Sequence, residues 1–435
     1  MKKAPFAPPD LRIAGLFICF LVLVPLLAAC GSSGNGATTL VVWTVEANRL
    51  AKSGQEGVYA HYLVDQFQKE HPNVKVKLED HGWDEELRQN LTTALLGGTA
   101  PDVVIGESFF RQFAALNALL PLENELGDLK NDVVPATYEG SMYQGHIYTL
   151  SAYTGVFGLE RNCEVVKKAG FDCDKPPQTW DELLKQAQTI TQKEQPNHYG
   201  YTLQGPAGFS IGAVLRLSVY LAQAGASLCK DDCSKPWFDN PKAVPVYEFI
   251  RKLNKTTPPG LTFNSDEGQL YMQLHKGKTA YQIGGSWHVA ASKTNGCGDC
   301  RYSPVPIPQG GKNASVLVAD VQYAALKQSK NPDLAKAFVR FIARDDTQLK
   351  AYEERQTLPT NKKALQKLRS QVDPATQQFI DTLLNSELHS LPQWTKNPQK
   401  VWSAYNDMLT KLLTTDAPVP QLLSDAQKAA EQAVQ

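Results

Sequence analysis

Eight cysteines, eight histidines and a set of aromatic rings near carboxylates are the residues of this 435-residue chain that could do chemistry. Hydrolysis by a nucleophile or a metal needs His, Cys or carboxylate groups held at fixed spacing. HExxH, GxSxG, P-loop and GxGxxG patterns are absent, and no two histidines stand at i, i+4. Asp84-Glu85-Glu86 is a carboxylate cluster. Acids favour the positive end of a helix dipole, so a solvated helix start accounts for it. A surface hydrolase with two distant carboxylates would leave no such pattern and stays as an alternative. No cofactor and no metal is expected.

The aromatics say more. Trp43, Trp83, Phe109, Tyr153 and Trp287 each fall at or just after an expected strand end, or beside a glycine. Rings placed there can stack on the apolar C–H faces of a sugar. Glu46, Asp84 and Glu107 stand near enough in sequence to accept hydroxyl hydrogen bonds. A pocket of that kind is mainly apolar with a few placed polar groups. The competing reading packs the same rings into the core. Trp180 lies inside the capping box Thr179-Trp180-Asp181-Glu182 and is read as packing.

These side chains need a scaffold, and the hydrophobic periodicity supplies one. Leu40-Val41-Val42-Trp43 suits a buried strand. Tyr59, Leu63 and Phe67 recur at helical spacing, Val74, Val76 and Leu78 alternate as in a strand, and Leu87, Leu91 and Leu95 share a helical face closed by Gly97-Gly98. Val103-Val104-Ile105 is a further strand, with a helix expected over about residues 109–120. Strand and helix alternating in this way predict a mainly parallel sheet. In open sheets of that kind ligands bind beyond the carboxyl ends of the strands. That rule selects three loops, residues 44–48, 81–84 and 106–109, the last containing Ser108. A second α/β region follows, with a helix to about residue 192, a strand at 199–203, a helix at 211–224 and another from Asn240-Pro241. Strands are expected at 279–283 and within 316–326, a helix from Asn331-Pro332 to about 343, and a nearly all-helical stretch from 362 onward.

Forty-four basic residues balance forty-four acidic ones, so no global field favours nucleic acid, and none is expected as a partner. Lys2, Lys3 and Arg12 precede an apolar run over residues 13–29 in the layout of a secretory signal. A single membrane anchor competes, but the run falls short of the roughly 20 residues a spanning helix needs and contains Pro25. Leu27-Ala28-Ala29-Cys30 resembles a bacterial lipobox, which makes Cys30 a lipidated first mature residue. An ordinary cleaved signal is the runner-up. Residues 30–38 read as a flexible tether. With Cys19 lost in the signal and Cys30 at its end, export puts the six remaining cysteines in an oxidising compartment. Cys163 and Cys173, Cys229 and Cys233, and Cys297 and Cys300 fall into close pairs and are expected as local disulfides. A redox role for Cys297-Gly298-Asp299-Cys300 and a zinc site with Cys229 and Cys233 are weaker readings.

Five segments in order carry a family likeness. Gly98-Thr99-Ala100-Pro101-Asp102-Val103 resembles the "G-x-x-P-D-V" signature of bacterial extracellular solute-binding proteins, family 1, the sugar-type receptors of ABC importers. Tyr143-Gln144-Gly145-His146-Ile147-Tyr148 is similar to the segment before the family's first hinge. Ala169-Gly170-Phe171 with Pro177-Gln178-Thr179-Trp180-Asp181-Glu182-Leu183 resembles "aGl…P-x-T-W-x-E-L". Gly277-Lys278-Thr279-Ala280 with Gly285-Ser286-Trp287 resembles "G-x-x-A…G-x-W", and Leu358-Pro359-Thr360 the late "x-P-T".

The resemblance implies a hinge-linked, two-lobe periplasmic-binding-protein-like α/β fold of type II with a helical C-terminal part. It places 39–153 and 285–345 in lobe 1, and 154–284 and 346–435 in lobe 2, after a signal peptide over 1–29. It implies a monomer on the extracellular face of the cell membrane, lipid-anchored through Cys30. Such a receptor captures a small solute, a sugar by preference, and delivers it to ABC permease subunits. Trp287 corresponds to an aromatic that stacks on sugar in the family and Trp402 to a second. Trp43, Glu46, Trp83, Glu107, Ser108 and Tyr153 complete the expected cleft. The chain departs from the family's "l-Y-Y-N" at Val156-Phe157-Gly158-Leu159-Glu160-Arg161-Asn162, and from a Gly-Gly turn at Asp320-Val321-Gln322. Asp320 and Gln322 thereby join the candidate ligand contacts, and Asp320 raises a polyamine, peptide or other polar solute as the alternative cargo.

Overall fold

The computed structural model describes residues 37–435 apart from 53, 108, 128, 207–211, 231–232 and 265. The signal segment, Cys30, most of the expected tether and Ser108 lie outside the described residues.

The first half is built as its periodicity requires. Strand β1 (Thr38–Trp43) leads through helix α1 (Val58–Glu70) to β2 (Val74–Glu79), then through α2 (Asp84–Gly97) to β3 (Val103–Gly106). β1 runs parallel to both neighbours, with Leu40 opposite Val76 and Val42 opposite both Leu78 and Val103. α1 buries Tyr59, Leu63 and Phe67, and α2 buries Leu87 and Leu91. Burial of each such side chain contributes about 1.5–3 kcal/mol. α2 stops at Gly98, whose φ of 66° is the left-handed cap that glycine adopts without a Cβ penalty. The helix expected over 109–120 is only Phe110–Ala115. Asn117 turns the chain at φ 55°, and Leu119 instead forms a bridge to Leu326.

Strand β4 (Leu150–Gly155) is followed after a single residue, Val156, by β5 (Phe157–Asn162), and here the chain changes sheets. The second sheet adds β6 (Tyr199–Thr202), β7 (Thr279–Gly285) and β8 (Cys300–Ser303) in the order β8-β5-β7-β6. Strand β9 (Val318–Ala325) returns to the first sheet, antiparallel to β3 and β4, giving the order β2-β1-β3-β9-β4. Within residues 286–317, expected with lobe 1, β8 instead joins the second sheet, hydrogen-bonding along β5 with Cys300 opposite Asn162, and residues 314–316 pair with 387–389. The helix Asp345–Arg355, expected with lobe 2, packs on α1 and buries Ala351 in the first core.

Two large apolar clusters follow the two sheets. One holds Leu40, Phe67, Ile105 and Tyr323, the other Leu159, Leu183, Ile250 and Tyr405. A third cluster holds Val156 and Leu317, the residues at the two sheet changes, beside Leu365, Phe379 and Ile380. Trp180 is packing, as expected. It stacks on Phe249 at 4.8 Å, and its Nε1 donates to Gln223 Oε1 at 3.0 Å. In its capping box Thr179 Oγ1 accepts from the Glu182 N–H, whereas the Glu182 carboxylate reaches Gln178 N, one residue earlier than the motif predicts. Disulfides join Cys163 to Cys173, Cys229 to Cys233 and Cys297 to Cys300.

Candidate functional site

The loops at the carboxyl ends of β1, β2 and β3 do not all present their side chains outward. Trp43, 6% exposed, stacks on His81 at 3.7 Å and donates from Nε1 to Glu79 at 3.1 Å. Glu46 is fully buried and paired with Arg355 Nη2 at 2.8 Å. Burial pushes its carboxyl up, with the Arg355 guanidinium acting against it. The short helical turn that carries Glu46 starts at Thr44, whose hydroxyl accepts from the Glu46 N–H and lies 2.9 Å from the Tyr323 hydroxyl. Tyr153 is 4% exposed in the middle of β4, and burial raises its phenol. Core packing therefore accounts for these three residues. Trp83, which precedes α2, is only part-buried, and so is Glu107 just past β3.

Glu107, Asp320 and Gln322 come together. They line one small cavity with Gly140, Leu317 and the stretch that holds Ser390 and Gln393. Asp320 accepts from Ser151 Oγ at 2.7 Å and from Gln322 Nε2 at 2.7 Å, and burial pushes its carboxyl up to about 7. Gln322 also donates to Ser141 Oγ and accepts from Thr149 Oγ1 at 2.6 Å. A carboxyl in that state holds only part of a charge at neutral pH, which weakens Asp320 as a counter-ion for a cationic solute.

The segment that holds Ser390 and Gln393, next to Leu391 and Trp394 of the second core, reaches across to the first half. Gln393 accepts from the Arg111 N–H at 3.3 Å and donates to the Gly140 carbonyl at 3.0 Å, and the Ser390 N–H donates to Glu139 at 2.7 Å. Trp287, the residue after Ser286 at the end of β7, lies over the sheet change: a Cβ on Gly155 would sit 3.1 Å from its Cζ3. Its ring meets Phe157 edge-on at 6.2 Å. Trp402 is part-buried on the helix Pro398–Thr414 and meets Trp394 edge-on at 4.3 Å. The Gln399 amide from the same helix lies 3.4–3.5 Å from the Glu85 carboxylate of α2. Trp83 packs at the edge of the first core and Trp287 and Trp402 at the edge of the second, while contacts cross between the halves at Glu85–Gln399 and at Gln393.

Two features were not legible in the sequence. A cavity of about 330 Å³, lined by Arg111, Glu139, Lys230, Lys312, Glu387 and His389, also joins the halves. Its lining residues are far apart in the chain and share no motif. The second is a buried group of Glu160, His275 and His288. Its one sequence signal was the unusual Glu160 after the first crossover.

Comparison with known proteins bears on this geometry. A family model for the bacterial extracellular solute-binding protein matches residues 51–349. The diacetylchitobiose binding protein DasA of Streptomyces coelicolor is 27% identical over 346 residues, 77% of this chain and 76% of that protein. A probable ABC transporter-binding protein of Deinococcus radiodurans is 28% identical over 216 residues; the chain spans half the length of that relative. The crystal structure of the cyclic alpha-maltosyl-1,6-maltose binding protein from Arthrobacter globiformis superposes with a TM-score of 0.76 at 22% identity, over 91% of this chain and 98% of that one. The type II binding-protein fold expected from the sequence is the fold observed.

Proposed function

The chain belongs to the bacterial extracellular solute-binding proteins, and from that premise we propose that it captures a carbohydrate between its two sheet-centred halves and delivers it to the permease of an ABC importer. The observation that carries this reading is Trp287, a part-buried ring from the second half laid over Gly155 where the chain leaves the first sheet. A ring there can stack on a sugar while Glu107 and Trp83 approach from the first-half strand ends. The relatives named for diacetylchitobiose and for a cyclic maltosyl-maltose support a sugar as cargo. The two halves act as lobes that close on the solute, and the protein works as a monomer without a catalytic step.

Family members act outside the cytoplasm, and among the described residues no helix is long and apolar enough to cross a membrane. Our reading places the protein on the membrane surface through lipidated Cys30, with residues 31–38 as slack. A single acyl chain anchors only marginally, so the anchor carries more than one. Metabolic fatty-acid labelling of wild type against Cys30→Ala tests this; equal labelling defeats it.

Calorimetry and thermal shift with diacetylchitobiose, cyclic maltosyl-maltose and galacto-oligosaccharides test the cargo. A bound sugar at a hundredfold excess over its Kd stabilises the fold by about 2.7 kcal/mol. Stabilisation by spermidine or short peptides, with none from any sugar, would replace carbohydrate by another polar solute.

A further inference from the structure

The solute-binding reading leaves Glu160 without a role, and its surroundings are too ordered to be incidental. Its carboxylate is fully buried in β5, four residues past Val156. Oε1 accepts from His275 Nε2 at 2.7 Å and from the Tyr302 hydroxyl at 2.8 Å. Oε2 accepts from Gln282 Nε2 at 2.6 Å and from His288 Nδ1 at 3.0 Å. An ionised carboxylate offers about four acceptor sites, and here each meets a donor. Burial pushes the carboxyl up, but the hydrogen bonds from His275 and His288 outweigh it and hold it at about 2. Two nitrogens ligating one tetrahedral zinc ion would stand about 3.3 Å from a ligating oxygen, given bonds of roughly 2.0–2.1 Å. The spacings of 2.7 and 3.0 Å are those of hydrogen bonds. On the other side of His275, Nδ1 faces Asn295 Nδ2 at 3.0 Å, which assigns the imidazole proton to Nε2, toward Glu160.

The donors belong to four elements: the helix Glu267–His275, β7, the helix Trp287–Thr294 and β8. The third of these begins with Trp287. Its cap residue Ser286 makes no side-chain capping bond, so the ordinary device that fixes a helix start is missing there. His288, the next residue, is held instead by its Nδ1 on Glu160, and its carbonyl lies 2.9 Å from the Tyr302 hydroxyl, whose one proton it shares with Glu160. Gly284 makes room for this: a Cβ there would fall 2.4 Å from His288 Nδ1 and 2.9 Å from Glu160 Oε2. The path then closes on itself. β5 begins at Phe157, beside Gly155; Glu160 in β5 holds His288; and Trp287 returns over Gly155 against Phe157.

We propose that Glu160 is a positioning residue which, through His288, sets Trp287 over the crossover, so that solute affinity is governed by a carboxylate that does not touch the solute. The proposal rests on the solute-binding reading above for its consequence, but not for its geometry. The stretch that supplies Glu160 is the one where the sequence departs from the family pattern.

The test uses Glu160→Gln, which sets an amide donor against existing donors, and Tyr302→Phe, which removes one donor and keeps the ring should the first variant fail to fold. Hydrogen exchange of residues 286–294 and Trp emission are read on the ligand-free protein. Exchange there should quicken, while Val166→Ala, a cavity variant in the same core, should leave it unchanged. With whichever sugar of the panel binds, affinity should fall about tenfold, the scale of a misplaced anchor contact. In a Trp287→Ala background that further loss should vanish. Unchanged exchange in both variants overturns the proposal, as does a full additional loss of affinity without Trp287. Stoichiometric zinc binding with a higher Tm overturns it in favour of a metal site. If no sugar binds the wild type, the cargo reading fails, and exchange alone decides the positioning role.

Discussion

Asp320 in the first half and Glu160 in the second are both carboxylates drawn out of water, and they are held in opposite states. Asp320 has the Ser151 hydroxyl and the Gln322 amide as donors, and burial lifts it to about 7. Glu160 is more deeply buried yet sits at about 2, because the imidazoles of His275 and His288, the Gln282 amide and the Tyr302 hydroxyl all point at it. Burial sets the cost of a charge, and the donors around it decide whether the charge stays. The first half thus encloses a carboxyl that takes a proton near neutrality, while the second half is assembled around a permanent negative charge.

The largest effect should separate these two sites directly. Glu160→Gln removes the charge from a buried carboxylate that four donors surround and should cost about 3–5 kcal/mol of stability in urea denaturation. Asp320→Asn replaces a carboxyl whose favourable contribution is already being lost at pH 7 and should leave stability there within about 1 kcal/mol of wild type. Equal losses would break the contrast.

One tryptophan from each half extends the comparison. Trp43, stacked on His81 inside the first core, should cost about 3 kcal/mol of stability when changed to Ala. Trp287→Ala should instead weaken sugar binding by about 2 kcal/mol, roughly thirtyfold, with a smaller shift in the urea midpoint. Unchanged affinity would make Trp287 a core residue like Trp43.

The pH dependence should carry both signatures. Glu160 is lowered from 4.5 to about 2, so the unfolded chain binds more protons in that window. Its contribution is present above pH 4.5 and is lost as pH falls through 2. Asp320 is raised from 3.8 to about 7, so the folded chain binds more protons between those values. Its contribution is present below pH 3.8 and is lost as pH rises through 7. Each slope approaches at most about 1.4 kcal/mol per pH unit. Denaturation midpoints from pH 3 to 8 should therefore show Asp320→Asn flattening the fall between 4 and 7, while Glu160→Gln flattens only the acid limb.

How far the sequence reached follows the same division. Elements whose signal is local were legible: the spacing of Tyr59, Leu63 and Phe67, the alternation around Val76, the Thr179 cap and the Gly98 stop all correspond to observed structure. β4 is buried along its whole length, so no alternation distinguished Tyr153 as core from Tyr153 as cleft. Glu46 read as a loop carboxylate because its partner, Arg355, is more than three hundred residues away. The return to the first sheet at β9 rather than near 285 depends on β8 pairing with β5, a long-range register that composition does not show. Glu160 stood out only as an odd residue, since His275 and His288 meet it solely through the tertiary fold. Trp287 was visible because a strand end, two glycines and an aromatic lie together in the chain.

The smallest effect probes the seam between the halves. Gly155 ends β4, and a Cβ there would stand 3.1 Å from Trp287 Cζ3 and 3.4 Å from the Val318 carbonyl oxygen. Both distances allow the methyl if the ring yields by a few tenths of an ångström. Gly155→Ala should then cost about 1 kcal/mol or less in stability, and a few-fold in sugar affinity as the ring shifts. Gly98→Ala serves as the counterpart in the first half. Its φ of 66° strains any L side chain, and nothing lies within 4 Å of the new methyl. A similar cost in stability, about 1 kcal/mol, should appear there with affinity untouched. If both glycine variants lower affinity alike, the loss reflects general loosening of the fold; if only Gly155→Ala does, the ring over the crossover is the contact that the solute feels.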